Sequence, residues 1–173
     1  MVPSDARETR QVIHAIADYS GPVYVRLGRA KVPSVMPEAY TFRIGKAYPF
    51  HMGKDANIVA MGIMVAVALE SAQILKGEGI DVGVINMSTV KPLDTEILLN
   101  ASQACRLIIT AEEHSIIGGL GSAVSEFLSE SNPTRICRIG IKDDFGCSGT
   151  SGELLKFYGL TVDNIVKTVK EAL

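Results

Sequence analysis

Apolar and polar positions follow two different patterns along this chain, and the change comes near residue 55. Beyond Asp55, short continuous apolar runs alternate with longer stretches whose apolar residues recur at helical spacing. Ile58 to Met64 reads as a buried strand, Val65 to Lys76 as a helix stopped at Gly77, and Val82 to Asn86 as a second strand. Pro92 opens a helix from about Asp94 to Ala104, with Asp94 favourably placed in its first turn. Leu107 to Ala111 forms a third strand, Leu120 to Ser129 a helix, and Arg135 to Ile141 a fourth strand of alternating type. Glu153 to Tyr158 and Val162 to Ala172, the latter capped by Thr161, close the chain as helices. Strands separated by helices need crossover connections. The expected fold class is therefore α/β: three-layer α/β/α, with a mostly parallel sheet of about five strands covered on both faces.

The front of the chain lacks this regularity. Pro3-Ser4-Asp5 makes a turn and a helix cap, since Ser4 or Asp5 can accept the first free N–H groups. Ala6 to Tyr19 then places Val12, Ile13 and Ile16 on one helical face, Gly21-Pro22 breaks the helix, and Val23 to Leu27 has strand propensity. One helix and one strand cannot bury a core by themselves. Residues 1–33 thus read as the tail of a larger, incomplete α/β domain, 34–54 as a linker punctuated by prolines such as Pro37 and Pro49, and 55–173 as a complete second domain.

Composition narrows the possible functions. The chain has 173 residues, 47% of them hydrophobic, and a net charge of −2, with pI near 5.9. Its basic residues are scattered, so it carries no electrostatic footprint for nucleic acid or for an anionic membrane. Cys105, Cys137 and Cys147 are widely spaced and form no C-x-x-C pair. They argue against a disulfide framework or a zinc site and for a reducing, cytoplasmic setting. The longest apolar stretch, Ile58 to Leu69, is about twelve residues and falls short of the ~20 that a membrane span requires. The charged amino terminus lacks the apolar centre of a signal peptide.

Candidate chemistry gathers at the end of the third strand, in Glu112-Glu113-His114 and Gly118-Gly119-Leu120-Gly121. The glycines do not fit a dinucleotide fingerprint, because Val124 stands where its last glycine or alanine belongs, and no lysine follows to make a phosphate loop. Two readings stay open: the glycines bring helix and strand close together, or they leave an anion site at the helix start. Glu112, Glu113 and His114 likewise read either as an acid–base group or as a solvated turn. Glu112, Glu113, His114, Gly118 and Gly119 together are a possible ligand or interface loop. His14 and His51 lack metal-ligand spacing and read as structural. Arg26 and Arg29, flanking Gly28 at a strand end, can present a guanidinium fork to a phosphate or carboxylate, or simply pair with an acid. Asp144-Phe145-Gly146 has the letters of the kinase metal-binding triplet without the motifs that accompany it. Cys147 has no evident base to activate it.

These motifs together resemble the thiamine-diphosphate enzymes of the transketolase group. Pro3-Ser4-Asp5 with Gly21-Pro22 to Arg29 is similar to the end of that family's pyrimidine-binding domain. Val90 to Asp94, Glu112-Glu113-His114 and Gly118 to Ser122 are similar to its carboxy-terminal domain. Asp144 to Gly149, Glu153 to Leu155 and Tyr158 to Val166 resemble the terminus of transketolase itself. The resemblance implies a transferase of the pentose phosphate pathway that moves a two-carbon ketol unit between sugar phosphates. Thiamine diphosphate and Mg2+ would serve the complete enzyme, with none bound by this chain. The motifs for metal, diphosphate and catalysis are missing, so no catalytic, cofactor-binding or metal-binding residue is carried over. Arg29 alone matches a family residue with a role, contact with the substrate phosphate. The implied partners are the remaining transketolase domains or an N-terminal subunit, in an assembly that is a homo-dimer. Related possibilities are the carboxy-terminal part of 1-deoxyxylulose-5-phosphate synthase or of a 2-oxoacid dehydrogenase β subunit, and, from another class, a non-catalytic regulatory or assembly module.

Overall fold

The computed structural model describes residues 1–173. Its centre is a five-stranded sheet in the order β1-β3-β2-β4-β5. The strands are β1 (Tyr48–His51), β2 (Ala56–Ala60), β3 (Val82–Asn86), β4 (Leu107–Ser115) and β5 (Arg135–Ile141). β1 runs antiparallel to β3, and the other pairings are parallel. The helices are α1 (Ala6–Ala17), α2 (Met64–Gly77), α3 (Thr95–Ala104), α4 (Leu120–Ser131), α5 (Ser151–Phe157) and α6 (Val162–Ala172). None is long and apolar enough to cross a membrane.

The continuous apolar runs work because successive side chains leave a strand on opposite faces. Ile58, Val84 and Ile109 lie level in the parallel register and join Met64, Leu75, Ile165 and Val169 in a core under α2 and α6. Val59, Ile85 and Ile108 point the other way and pack with Leu98, Leu120, Val124 and Leu128 under α3 and α4. The expected three layers are present, with helices on both sides of a mostly parallel sheet.

Several elements differ from their expected form. The first strand of the regular half ends at Ala60 instead of Met64, because Gly62 turns the chain in the left-handed region (φ 59°) and α2 begins at Met64. Asp94 is the N-cap of α3, with its carboxylate accepting from Ile97 N, and is not a member of the first turn. Val23 to Leu27 is extended but forms no strand. Its ladder is one parallel step, Met1 N to Tyr24 O at 2.7 Å and Arg26 N to Met1 O at 2.9 Å, and no other segment of this chain runs beside it.

Residues 34–54, expected to be irregular, contain β1 and a small core of their own. Met36, Tyr40 and Phe42 are buried with Val12 of α1, and Tyr48 packs edge-on against both Tyr40 and Phe50. Pro49 is tolerated in β1 because that strand is the edge of the sheet.

His51, at the end of β1, is tied to the turn before β3: its Nε2 lies 2.6 Å from Asp81 Oδ1, while Lys54 N donates to Asp81 Oδ2 at 3.1 Å. The hydrogen bond from His51 holds the Asp81 carboxyl below its ordinary range, against a smaller opposing effect of desolvation. A carboxyl depressed in the folded state contributes stability above its unfolded pKa of ~3.9, and that contribution is lost as the pH falls through the folded value. Both side chains are substantially exposed, so the effect is small and screened by salt. Asp81→Asn is expected to flatten the acid limb of a stability-versus-pH curve measured by urea unfolding, leaving neutral-pH cooperativity unchanged; an identical acid limb would contradict this account.

Candidate functional site

β2 leads through α2 to one face of the sheet, whereas its neighbour β4 leads through α4 to the other. The crevice outside their carboxyl ends is the topological switch point, where open α/β sheets characteristically bind ligands. Here the chain closes over that crevice with its own amino-terminal residues. Val2 N donates to Ser88 O at 2.7 Å, just beyond β3, and Val2 O accepts from Gly62 N at 3.2 Å, just beyond β2. A Cβ on Gly62 would lie 2.9 Å from Val2 Cγ1, so the glycine serves both the turn and the close approach. From the other side, Arg26 Nη1 donates to the main-chain oxygen of Glu113 at 2.7 Å, with the Glu113 carboxylate at 3.8 Å.

The Glu-Glu-His motif lies on β4, which continues to Ser115, and not in a solvated turn. Its members separate where the pairing of β4 with β5 becomes irregular, between Ala111 and Ser115. Glu112 is fully buried and turns under the start of α4, where its two oxygens accept from Leu120 N at 2.8 Å and Gly121 N at 2.7 Å. A carboxylate at a helix N-terminus satisfies otherwise unpaired N–H groups and opposes the helix dipole. Glu113 faces Arg26. His114 is exposed, with Nδ1 2.9 Å from Ser115 O. No acid–base group is assembled from the three.

The glycines serve this arrangement. Gly118 turns at φ 74°. Gly119 has an unexceptional φ of −98°, but a Cβ there would come within 2.1 Å of Glu112 Oε2. The close joining of strand and helix expected from the sequence is present, and a buried carboxylate fills the place an anion would take.

A second buried carboxylate, which the sequence reading did not single out, fastens the front of the chain to the sheet. Glu8 is fully buried and accepts from Ser4 N (2.7 Å), Ser4 Oγ (2.8 Å), Tyr40 Oη (2.7 Å) and Asn86 Nδ2 (2.9 Å). Asp5, the N-cap of α1 as expected, accepts from Glu8 N and also from Val35 N and Met36 N. Burial, followed by the charge of Glu8, pushes the Tyr40 hydroxyl pKa far above its ordinary value. The spacing Asp5-x-x-Glu8 is the available sequence signal, since it is that of a capping box. Tyr40 and Asn86 are too distant along the chain to be found that way.

Beside the covered crevice lies an open groove of about 1220 Å³. Arg10, Arg26, Arg29 and Lys31 line it with Asp144 and Tyr158. Arg29 is exposed, as a residue meeting an outside group must be. Tyr158 Oη is 3.6 Å from Cys147 Sγ, and that contact raises the tyrosine pKa above its usual value. His14 is exposed on α1, and His51 belongs to the Asp81 contact, so neither histidine joins the groove.

The residues here do not make the metal site that accompanies thiamine diphosphate. No three His, Cys, Asp or Glu side chains are grouped to hold an ion, and the start of α4 is already filled by Glu112.

Comparison with known proteins matches residues 45–165 to the family model described as transketolase, C-terminal domain. The chain is 42% identical over 176 residues to a putative transketolase C-terminal section from Methanocaldococcus jannaschii, covering 100% of this chain and 55% of that protein. It is also 42% identical over 172 residues to one of the subunits of an apulose-4-phosphate transketolase from Phocaeicola vulgatus, covering 99% of this chain and 55% of that protein. A solved structure described as a split gene transketolase, inactive beta4 tetramer, superimposes with a TM-score of 0.95 at 46% identity, over 99% of this chain and 56% of the other. The chain thus spans about half the length of the relatives it matches.

Proposed function

The chain belongs to the transketolase C-terminal domain family, and from that premise we propose that it is part of the carboxy-terminal section of a transketolase, matching about half of that section, and that it works only when assembled with the remaining transketolase domains. The observation that carries this reading is the coverage. Essentially the whole chain aligns, at 42% identity, with about half of relatives named as transketolase sections or subunits. The fold supports it, since the extended segment at 23–27 has a single ladder step to pair with and no three His, Cys, Asp or Glu side chains are grouped to hold the cofactor's metal. Ketol transfer is favoured because relatives named as transketolase sections or subunits reach 42% identity, against 37% for those named 1-deoxy-D-xylulose-5-phosphate synthase.

On this reading the complementary section carries thiamine diphosphate and Mg2+, which supply the carbanion chemistry of ketol transfer. This chain contributes Arg29, exposed at the groove beside Arg10 and Lys31, as the contact for the phosphate of a sugar substrate. The second contribution is a rigid body: Glu8 and Asp5 weld the amino-terminal residues to the sheet, so the two parts of the chain dock as one. The assembled enzyme is a cytoplasmic dimer of such complete units, acting among the sugar phosphates of the pentose phosphate pathway.

The test is an assay of product formation with a ketose phosphate, an aldose phosphate, thiamine diphosphate and Mg2+. The purified chain alone is expected to form none, and addition of a partner that carries the remaining transketolase domains is expected to start the reaction. Product from the chain alone would overturn the proposal.

A further inference from the structure

We propose that Arg26 is a positioning residue that holds Arg29 in place, so that the end of β4 takes part in recognising the substrate phosphate; this rests on the reading of Arg29 as the phosphate contact. The strap from Val23 to Ser34 is held at its start by the main-chain step of Tyr24 and Arg26 with Met1 (2.7 and 2.9 Å) and by the bond from Arg26 Nη1 to the Glu113 oxygen, 2.7 Å, which is its one direct hydrogen bond to the sheet. Beyond it, Leu27 to Ser34 make no hydrogen bond to the rest of the chain until Val35 N reaches Asp5. Arg29 therefore sits on a free run of backbone whose near anchor is Arg26. Only Leu27 and Gly28 intervene, a separation of roughly 10 Å in an extended chain.

The two arginines have opposite surroundings. The Arg26 side chain is 26% exposed and turned inward, and its Nη2 is enclosed without a hydrogen-bond partner. A guanidinium stays charged under all relevant conditions, so enclosing it needs compensation, which the Glu113 carbonyl and the carboxylate at 3.8 Å supply. Arg29 is exposed in the groove and has no acidic partner. One arginine is committed to the protein and the next is left for an outside anion. The second glutamate of the β4 motif thereby gains a role that its sequence alone did not disclose: it is the post to which the strap is fastened.

Holding a charged fork in one place matters because a displacement of about an ångström in a positioning group can cost on the order of a hundredfold in rate. The experiment uses the enzyme reconstituted with the remaining transketolase domains, assayed with a phosphorylated aldose acceptor and its unphosphorylated counterpart. Arg26→Met keeps the aliphatic stem and the main-chain bond to Met1 and removes the side-chain anchor on Glu113. It is expected to lower kcat/KM for the phosphorylated acceptor about tenfold, mostly through KM, and to change the unphosphorylated acceptor less than about twofold. Arg26→Lys, able to donate to the same carbonyl, is expected to recover most of the loss.

Arg29→Met is expected to remove the preference for the phosphorylated acceptor. In that background Arg26→Met should lower the preference no further, since the two substitutions act on one contact. An intact preference in Arg29→Met overturns the phosphate reading itself. A lost preference in Arg29→Met with an intact one in Arg26→Met overturns the positioning role alone. An equal fall for both acceptors in Arg26→Met also overturns it, because that is the mark of general destabilisation.

Discussion

Replacing Glu112 with alanine is expected to destabilise the chain by about 3 kcal/mol, although Glu112 touches no solvent and makes no ion pair. Its two oxygens hold the first N–H groups of α4, Leu120 N at 2.8 Å and Gly121 N at 2.7 Å, both in buried surroundings. Hydrogen bonds to a charged group contribute roughly 1.5–3 kcal/mol each, and the substitution leaves both donors without a partner. Part of the loss is returned because the carboxylate no longer has to be desolvated, which is why the expected total lies near the lower end of the sum. For a chain of this size that is a fall in Tm of roughly 6–12 °C. Thermal unfolding followed by circular dichroism checks it, and a fall below about 2 °C would mean that Glu112 does not carry the start of α4.

Glu8→Ala should have a comparable or larger effect, about 4 kcal/mol, with a different spatial signature. The Glu8 carboxylate gathers four donors from three parts of the chain: Ser4 at the turn, Tyr40 in the segment before β1, and Asn86 at the end of β3. Hydrogen bonds to a charged acceptor contribute roughly 1.5–3 kcal/mol each, and the total is reduced because the carboxylate no longer has to be desolvated. Because these donors join α1 to the sheet, their loss is expected to release α1 before the sheet opens. Amide hydrogen exchange would then show α1 losing protection while β2, β3 and β4 retain theirs. Uniform loss across α1 and the sheet would instead mean that the front of the chain and the domain unfold as one unit. Glu8→Gln, which preserves the shape but donates where two hydroxyl or amide donors already point, is expected to recover only part of the stability.

The contrast between these two glutamates explains what was legible in the sequence. Ile58, Val84 and Ile109 announce themselves because a strand covered on both faces leaves a continuous apolar run, and that pattern is local. The layers and most of the helices follow from it. Glu112 was visible as a residue but not in its role, since nothing local says that a carboxylate at the end of an apolar run will fold under the next helix. Gly119 held the nearest clue, a glycine needed for space and not for its φ. Glu8 needed partners as far away as Asn86, and Val23 to Leu27 needed neighbours that this chain does not place beside it. Strand propensity reports what a segment tolerates, whereas a strand exists only where another backbone supplies its hydrogen bonds. β1 was missed for the reverse reason: Pro49 argues against a strand in general but not against one at an edge.

Glu112 also decides between the two readings of the glycine-rich turn. An anion belongs at the start of α4, and the chain provides its own. The crevice that such a sheet normally offers to a ligand is bridged by Val2 and Arg26, and the open groove next to it is lined by Arg29.

The most direct test of the central claim, that this chain is one necessary part of a ketol-transferring enzyme, is a titration of a fixed amount of a partner chain carrying the remaining transketolase domains with this one. The rate of sugar-phosphate product formation is followed with thiamine diphosphate and Mg2+ present. The account predicts no activity at either end member and a rate that climbs to a plateau at one copy of each chain. Activity from either chain alone, or a mixture that forms a stable complex and remains inactive, would contradict it.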